Sequence, residues 1–468
     1  MTSLLPEEFL SSLDGIKEFD RKSFEDIHNS GEQVVSVRVN PQKMSGENYQ
    51  LLWDESPGII PDKIPWSSYG YYLSGRPSFT LDPFFHAGLY YVQEASGMIL
   101  EQALKQCADL SQPLRILDLC AAPGGKSTLI QSMITAESLL VSNEVIKSRV
   151  NILQENMIKW GGSNVIVTNN DPKDFSKLEN YFDVIVIDAP CSGSGLFRRD
   201  PKAITEWSKE LVNLCSLRQQ RILADAWSSL KKDGVLIYST CSYSKDENED
   251  VVDRILEKFS TECRRLTINN NWGIVETISD MHQGYGYRFY PDKLKGEGFF
   301  IACLQKKEGG NFSYPRLKGK ATEKPTRNEK ELVKEYFKPD QLMDYFKYNG
   351  MIYSLHDDFF NDLFFLQNNL YLKKAGVLAG KVIGDEFIPE HELALSTIAS
   401  PKIPFIEVDK KNAIHYLRKE EIQIPSSSRG WTLVQYKRQN LGWVKILQNR
   451  INNYYPKSWK IRTGIEME

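Results

Sequence analysis

The chain has 468 residues, of which 41% are hydrophobic and 25% are charged, and its formal net charge is −3 at pH 7. These values are typical of a globular protein with room for two to four domains, and they argue against a membrane protein and against a generally basic nucleic-acid binder. Any surface for nucleic acid must therefore be a local basic patch.

Seven cysteines are present, an odd number, and no Cys-x-x-Cys pair occurs. This pattern argues against a disulfide framework and against a structural zinc site, and it favours reduced thiols. The N-terminus has no basic stretch followed by a long apolar one, so no secretory signal is predicted. We therefore expect a cytoplasmic protein without a metal or a membrane partner, and we expect a monomer.

Residues 1–110 mix helical and extended signals, and we predict that they form an N-terminal α/β extension that binds RNA. Apolar residues from Phe9 to Phe19 recur at helical spacing, and residues 34–39 resemble a strand. Residues 53–85 are rich in aromatic rings, proline and glycine, which predicts irregular structure. The aromatic rings either stack on bases or pack a small core.

Residues 111–306 alternate short apolar strands with helical segments, which predicts a doubly wound parallel sheet. The predicted strands are 115–119, 139–143, 165–168, 183–188, 234–239 and 299–304. The clearest helix is predicted over 203–231, with Leu214 among the apolar residues of its buried face. We expect this helix to end at the glycine of residues 232–234.

Residues 307–328 lose apolar periodicity, which predicts a linker, and residues 329–468 then form a second globular region. The stretch from Trp431 to Arg462 interleaves basic with aromatic residues. Such a mixture suits an RNA surface, because bases stack on rings and phosphates pair with cations. The alternative is a solvated basic face over an ordinary aromatic core.

A glycine-containing loop follows the first predicted strand of the sheet and opens a helix. It comprises Asp118, Leu119, Cys120, Ala121, Ala122, Pro123, Gly124, Gly125, Lys126 and Ser127. The loop is not a dinucleotide fingerprint, and it is not a phosphate-binding Walker loop, because Cys120 occupies the position of the required first glycine. A nucleotide-like ligand without a pyrophosphate fits better, and S-adenosylmethionine is such a ligand.

Carboxylates follow the next two strands as well. Glu144 closes the second strand, where an acidic side chain can accept both ribose hydroxyls. Asp171 closes the third strand, where it can accept a hydrogen bond from an adenine amino group. Either residue alone could simply cap the helix that follows. Together with Asp118, they favour a cofactor site across three successive strand ends.

Two thiols follow the fourth and fifth strands of the predicted sheet. Cys191 lies three residues after Asp188, and Cys241 follows the strand at 234–239. Because ligands bind at the carboxyl ends of parallel strands, these groups suggest covalent chemistry on an electrophilic ring. The alternative is burial as small apolar side chains. We treat Cys120 as packing in the loop, and we treat as structural Cys107, Cys215, Cys263 and Cys303.

These segments resemble the RNA cytosine-5 methyltransferases of the Sun/nucleolar-protein type. The matching stretches are 91–96 (YVQEAS), 117–127 (LDLCAAPGGKS), 188–193 (DAPCSG), 239–242 (STCS), 288–291 (RFYP) and 296–300 (GEGFF). Residues 196–201 (LFRRDP) and 206–207 (EW) are similar to the bacterial ribosomal RNA methyltransferase F group. Looser matches to its PUA-like extension occur at 375–381, 389–394 and 430–434.

The resemblance implies a Rossmann-like methyltransferase sheet that uses S-adenosylmethionine, followed by a C-terminal PUA-like RNA-binding region. It implies that Cys241 is the nucleophile, that Cys191 assists product release, and that Asp188 contacts the base. Asp188 must be protonated to donate to ring nitrogen 3, and we expect burial to support that state. We also expect Arg198, Arg199 and Lys202 to hold flanking phosphates, or else to form a solvated helix start.

The resemblance implies methylation of carbon 5 of cytosine in small-subunit ribosomal RNA. One alternative is the same reaction on transfer RNA. Methylation of DNA is less suited, because it would use the thiol of the Pro-Cys pair as nucleophile and leave the second cysteine unexplained. A further alternative is a ribosome-assembly factor that binds RNA but does not catalyse, against which the intact Cys191, Cys241 and Asp188 argue.

Overall fold

The computed structural model describes residues 4–44, 49, 52–53, 58–316, 322–339, 342–422 and 429–462. Strands in this part of the chain form four sheets. Its helices are all too short or too polar to cross a bilayer.

The N-terminal part packs a small antiparallel sheet against short helices. Its elements are α1 (Glu7–Ser12), α2 (Arg21–Asn29), β1 (Val35–Val39), β2 (Pro61–Lys63), β3 (Gly70–Leu73), α3 (Pro83–Ala87) and β4 (Tyr90–Val92), with strand order β2-β3-β1-β4. The predicted helical run to Phe19 is wrong beyond Ser12, where the chain turns through Gly15 at φ 82°. Trp53, Trp66 and Phe84 are buried, so these rings pack a core.

The central part is the large sheet with helices on both faces. Its first elements are α4 (Leu100–Cys107), β5 (Arg115–Asp118), α5 (Gly125–Gln131), β6 (Leu139–Asn143), α6 (Lys147–Trp160), β7 (Val165–Thr168) and β8 (Phe182–Asp188). They continue with α7 (Pro201–Glu206), α8 (Lys209–Trp227), β9 (Leu230–Thr240), α9 (Glu249–Lys258), β10 (Thr261–Arg264), β11 (Val275–Ile278), β12 (Tyr285–Phe289) and β13 (Phe299–Lys306).

Five strands of this sheet are parallel, in the order β9-β8-β5-β6-β7. Their side chains are almost all buried, as expected for a sheet covered on both faces. The expectation of an entirely parallel sheet is wrong for β13, which pairs antiparallel with β9. The strand preceding it, β12, also pairs antiparallel with β13, so the chain enters β13 without the helical crossover that a parallel neighbour requires.

The predicted helix over 203–231 is two helices. Trp207 is extended between α7 and α8, and Ser208 Oγ accepts a hydrogen bond from Leu211 N at 3.1 Å, which starts the second helix. The predicted end is also wrong, because β9 already begins at Leu230. Leu214 is 54% exposed, since the buried face of α8 runs through Cys215 and Gln219 instead.

The C-terminal part adds two four-stranded sheets. Its elements are α10 (Arg327–Lys334), β14 (Met343–Tyr348), β15 (Met351–His356), α11 (Phe360–Asn369), β16 (Leu372–Ala375), β17 (Val377–Ile383), β18 (Glu386–Pro389), α12 (His391–Leu395), β19 (Phe405–Glu407), α13 (Lys410–Leu417), β20 (Gly430–Tyr436), β21 (Gln439–Ile446) and β22 (Ile451–Asn453). The strand orders are β14-β15-β17-β18 and β19-β20-β21-β22.

β16 leaves this region and joins the central sheet. It pairs antiparallel with β7, so the large sheet continues into the C-terminal part. The predicted linker is also anchored in part. Tyr314 Oη donates to Asp362 Oδ1 at 3.0 Å and accepts from Arg115 Nη2 at 2.7 Å. The boundaries predicted at 110, 306 and 328 remain predictions.

Candidate active site

The carboxyl ends of β8 and β9 bring the two predicted thiols together. The strands are parallel and Asp188 is in register with Ser239, so the loops after both strands start at one edge of the sheet. Cys191 Sγ lies 3.1 Å from Cys241 Sγ. Gly195 N also donates to Cys241 O at 2.9 Å, which joins the two loops through their backbones. The sequence prediction that these cysteines share one site is therefore matched by their geometry.

Asp188 lies at the same edge but is not deeply buried. Its Oδ2 is 2.7 Å from Lys126 Nζ, and its Oδ1 accepts a hydrogen bond from Ser239 Oγ at 2.9 Å. The side chain is 36% exposed. The expected burial of Asp188 is therefore not found, because its carboxylate is partly open to solvent and paired with the Lys126 cation.

Lys126 connects the cofactor loop with the thiols. It is the second residue of α5, and its Nζ lies 5.0 Å from the centroid of the Phe299 ring. Burial lowers the pKa of Lys126, but the attraction of Asp188, Asp118 and Cys241 outweighs burial and raises that pKa overall. Lys126 is therefore a cation held among the acidic groups of the site.

Cys191 lies in surroundings that favour its neutral form. The hydrogen bond with Cys241, burial and the nearby charge of Glu247 together raise the pKa of Cys191 well above its ordinary value. Each of these effects favours the neutral thiol of Cys191. Cys191 is therefore suited to hold a proton beside Cys241.

Glu247 is a site residue that the sequence reasoning missed. It is fully buried, and its carboxylate accepts hydrogen bonds from Ser192 N at 2.8 Å, Ser192 Oγ at 2.6 Å and Ser242 Oγ at 2.6 Å. Gln219 Nε2 donates to it as well, at 3.2 Å. Since Ser192 and Ser242 each directly follow one of the thiols, Glu247 fixes the two cysteine loops relative to each other.

Replacement of Glu247 by alanine should loosen this arrangement. The donors of Ser192, Ser242 and Gln219 would lose their acceptor, so we expect the free energy of unfolding to fall by about 2–4 kcal/mol. The measurement is denaturant unfolding. Glu257→Ala, which removes an exposed carboxylate from α9, should change stability by less than about 0.5 kcal/mol. Equal stability of the two variants would contradict the role given to Glu247.

The loop between β5 and α5 forms a cradle with an unused acceptor. Asp118 is fully buried, and its Oδ2 accepts a hydrogen bond from Ser127 Oγ at 2.6 Å, whereas its Oδ1 has no hydrogen-bond partner in the described part of the chain. Burial raises the pKa of Asp118 to about 7, against the effects of Ser127 and Lys126. Gly124 precedes α5 at φ 116°, and a side chain there would approach Leu153 to 3.3 Å. An unpartnered buried oxygen in such a loop suits a ligand that donates hydrogen bonds.

Glu144 and Asp171 lie at the ends of the neighbouring strands. Glu144 is buried, with Oε1 accepting from Ile146 N at 2.9 Å and Oε2 lying 3.6 Å from Arg149 Nη1. Asp171 Oδ1 accepts from Lys173 N at 3.1 Å, so it caps a short 3₁₀ helix as in the alternative reading. Capping leaves the second oxygen of Asp171 available for a ligand. The roles of both residues in a cofactor site remain predictions.

Cys120 and the remaining cysteines lie outside the thiol pair. Burial, followed by the charges of Asp118 and Glu144, raises the pKa of Cys120. Such a thiol is unreactive, which agrees with packing in the loop. Cys215 and Cys303 are buried in α8 and β13.

The three predicted phosphate contacts differ in exposure. Arg199 and Lys202 are exposed beside the Cys191 loop. Arg198 is not, because its side chain is 4% exposed and its guanidinium donates to Glu32 O at 2.7 Å and to Gly296 O at 3.2 Å. The expectation that Arg198 holds a phosphate is therefore wrong for this conformation, in which Arg198 joins three segments of the chain.

Arg38 is a second residue that the sequence reasoning missed. It is fully buried, with Nε donating to Gln93 Oε1 at 2.8 Å and Nη2 donating to Thr128 Oγ1 at 2.6 Å. Its guanidinium carbon lies 4.6 Å from the centroid of the Trp160 ring. Arg38 therefore attaches the N-terminal sheet to the helix that opens at the cofactor loop.

Three family models match the chain in order. They are described as the N-terminal domain of 16S rRNA methyltransferase RsmF, at residues 5–95, as 16S rRNA methyltransferase RsmB/F, at residues 106–305, and as the methyltransferase RsmF PUA domain, at residues 404–461. These matches confirm the predicted fold class of a Rossmann-like methyltransferase sheet with an N-terminal extension and a C-terminal PUA region.

Two similar methyltransferases align with 90% or more of the chain. Ribosomal RNA small subunit methyltransferase F of Aeromonas salmonicida is 31% identical over 90% of both chains. The protein of the same name from Psychromonas ingrahamii is 29% identical over 97% of this chain and 96% of its own. A solved methyltransferase homologue from Pyrococcus horikoshii is 27% identical, with a TM-score of 0.54 over 64% of this chain and 93% of its own.

Proposed function

Because the chain belongs to the RsmB/F family of 16S rRNA methyltransferases, we propose that it methylates carbon 5 of a cytosine in small-subunit ribosomal RNA. The methyl donor in this proposal is S-adenosylmethionine, and the reaction passes through a transient bond between Cys241 Sγ and carbon 6 of the ring. The observation that supports it most directly is the thiol pair, with sulfur atoms 3.1 Å apart beside the ion pair of Asp188 and Lys126.

The thiol pair answers a chemical difficulty of this reaction. Carbon 5 of cytosine is a poor nucleophile because the ring is aromatic. Addition of a thiolate to carbon 6 breaks the aromaticity and makes carbon 5 enamine-like, so that it can accept a methyl group. The proton on carbon 5 must then leave and the carbon–sulfur bond must break. The site therefore needs one thiolate and one group that handles protons.

We assign the thiolate to Cys241 and the proton-handling role to Cys191. The raised pKa of Cys191 keeps its sulfur protonated beside Cys241. The Lys126 ammonium attracts a negative charge on Cys241, which stabilises the thiolate needed for attack. After methyl transfer, the carbon 5 proton leaves to solvent, its electron pair restores the double bond between carbons 5 and 6, and the carbon–sulfur bond breaks. Cys191 is suited to donate its proton to the departing sulfur of Cys241.

Asp188 and Lys126 form an ion pair, and together they are suited to hold the cytosine ring. A carboxylate oxygen of Asp188 accepts from the exocyclic amine, and the Lys126 ammonium can supply a proton toward ring nitrogen 3 as negative charge develops. This assignment replaces a protonated Asp188 as the donor. Ser239 and Lys126 hold the two carboxylate oxygens of Asp188 in place.

The residues at the ends of β5, β6 and β7 fit S-adenosylmethionine. Its amino group and ribose hydroxyls are donors, which match the unpartnered Oδ1 of Asp118 and the carboxylate of Glu144. We assign Asp171 to the adenine. The loop from Cys120 to Lys126 lines the site, and Asp188 lies at its inner end. When bound, the sulfonium supplies the methyl group that carbon 5 takes up.

The raised pKa of Asp118 predicts a pH-dependent affinity for this cofactor. Below pH 7 the buried carboxyl holds a proton, which it must release to accept a hydrogen bond and face a cationic ligand. Affinity should therefore rise with pH by up to about tenfold per unit between pH 5 and pH 7 and level off above. Isothermal titration calorimetry measures this.

Asp118→Asn should bind weakly and lose that slope, whereas Asp26→Asn, which changes an exposed residue of α2, should keep it. Wild-type affinity that stays constant from pH 5 to pH 8 would contradict the prediction.

For the RNA we propose a surface beside the thiols and a second one on the C-terminal region. Arg199 and Lys202 are exposed next to the Cys191 loop and suit phosphates. The target cytosine must leave its stack, which costs a few kcal/mol in a duplex and least in loops and junctions. The proposed enzyme is cytoplasmic and monomeric.

The decisive experiment offers labelled S-adenosylmethionine with purified 16S ribosomal RNA, intact small subunits, transfer RNA and DNA in parallel. We expect label on small-subunit RNA, and bisulfite mapping should place it on cytosine. Label on transfer RNA alone would favour the alternative substrate, and label on DNA alone would favour a DNA enzyme. Absence of transfer to every acceptor, with RNA binding retained, would favour an assembly factor that does not catalyse.

A further inference from the structure

A small cavity lies between the N-terminal sheet and the loops that carry the thiols. We call it the seam pocket, and it is lined by residues that include Val35, Ser36, Arg76, Gln93, Arg199 and Glu297. Gly298, the neighbour of Glu297, donates from its N to Gly195 O at 3.1 Å, and Gly195 N donates to Cys241 O. The wall that carries Glu297 is therefore hydrogen-bonded to the Cys191 loop and, through Gly195, to the loop of the proposed nucleophile.

Glu297 brings an unsatisfied acceptor to this cavity. Its side chain is 7% exposed, its Oε1 lies 3.8 Å from Arg198 Nη1, and its Oε2 is buried without a hydrogen-bond partner among the residues that the structure describes. Glu94, in the same wall, differs because its carboxylate accepts from the backbone N of Ser96, Gly97 and Glu297. A buried acceptor without a donor is costly, so the free oxygen of Glu297 calls for a donor that arrives with a ligand.

The size and charge of the pocket restrict the chemical groups that it can bind. Its volume is about 40 Å³, which admits an amino group or one or two water molecules but not a whole nucleobase. Arg76 and Arg199 line it and are exposed to solvent. Burial raises the pKa of Glu297 to about 7, so its carboxyl can give up a proton near neutral pH when a donor binds. The features together suit a hydrogen-bond donor carried on a polyanion.

We propose that the seam pocket receives the exocyclic amino group of a nucleotide that flanks the target cytosine, with Glu297 as its acceptor. This inference rests on the proposed RNA methylation and deepens it. Arg76 and Arg199 contact the phosphates on either side of that nucleotide. Glu297 thereby selects adenosine, guanosine or cytidine over uridine at one position next to the modified base.

The test uses the full-length protein and a ribosomal RNA fragment that contains one modified cytosine. In separate fragments, each of the two nucleotides on either side is replaced by an analogue without its amino group: inosine for guanosine, purine riboside for adenosine, or uridine for cytidine. We expect one replacement to lower kcat/KM of the wild type by about 10- to 100-fold, because it leaves the buried acceptor unpaired.

Glu297→Leu should methylate the parent fragment and the fragment without the critical amino group with the same low kcat/KM. Glu297→Gln, which keeps an acceptor oxygen, should retain part of the difference in kcat/KM between these two fragments. The matched control is Glu308→Leu, an exposed glutamate after β13, which should retain the whole difference. The proposal would be overturned if no replacement changed kcat/KM of the wild type. It would also be overturned if the ratio of kcat/KM between the two fragments were undiminished in Glu297→Leu. If Glu297→Leu does not fold, an unchanged ratio in Glu297→Gln overturns it.

Binding measured without cofactor separates this proposal from the proposed function. Fluorescence anisotropy with the same fragments should show the same preference in the wild type and its loss in the Glu297 variants. If the fragment binds with this preference but receives no methyl group on carbon 5, the proposed reaction fails and the seam pocket stands. If methylation occurs and binding shows no preference, only the seam pocket fails.

Discussion

Replacement of Cys241 by alanine is expected to lower methyl transfer by at least about 10,000-fold, which is effectively a loss of activity. Without a sulfur atom at this position nothing adds to carbon 6, and carbon 5 keeps the low reactivity of an aromatic ring. We do not expect the neighbouring Cys191 to substitute, because burial and the nearby charge of Glu247, which both remain in the variant, still favour its neutral thiol. The measurement is single-turnover transfer of labelled methyl groups to small-subunit RNA.

The control for this experiment removes a different thiol. Cys107→Ala, near the end of α4, should retain near-normal turnover, because alanine is a good helix former and the position lies outside the site. Cys241→Ala should keep its cofactor affinity and its unfolding midpoint, which shows that only the chemistry was lost. Near-normal turnover by Cys241→Ala would overturn the assignment of the nucleophile.

Replacement of Cys191 by alanine is expected to trap the enzyme on its product. Cys241 can still attack and carbon 5 can still be methylated, but the group placed to assist departure of the sulfur is gone. We expect a covalent protein–RNA complex that survives denaturing electrophoresis, with turnover limited to about one methyl group per enzyme. Quantifying labelled methyl groups in the shifted band measures the trapped methylated adduct.

The double variant Cys191→Ala/Cys241→Ala separates this trapping from non-specific cross-linking. It should give no shifted band, because the bond in question is made by Cys241. A shifted band of equal intensity in the double variant would contradict the model of a Cys241 adduct. Rapid multiple turnover by Cys191→Ala would instead show that product release needs no second thiol.

The sequence predicted those parts of the site that depend on short local patterns. Cys191 and Cys241 lie within three residues of the ends of apolar strands, and the parallel order of β8 and β9 follows from strand–helix alternation, so their proximity was predictable. Asp118 was predictable for the same reason. Each of these residues is placed by the strand that precedes it, and the strand itself is visible as a run of apolar residues.

The residues that the sequence did not reveal act through distant partners. Glu247 is 55 positions from Ser192, and Arg38 is 90 positions from Thr128, so no spacing rule connects them. Arg198 resembled a surface cation in a basic run, but Glu32 O, 166 positions away, accepts from it inside the protein. The break at Ser208 was missed because the residues on both sides favour helix and only the cap marks the start of α8.

The pairing of β16 with β7 has a consequence for how the protein can be divided. Tyr371, just before β16, exchanges hydrogen bonds with Asn170, whose neighbour Asp171 is the predicted adenine contact. A catalytic fragment that ends before residue 329 would leave β7 as an exposed edge strand. Its unpaired amides and carbonyls would favour self-association. The C-terminal region and the central sheet therefore form one structural unit. Neither can be exchanged between relatives unless the other is redesigned to fit it.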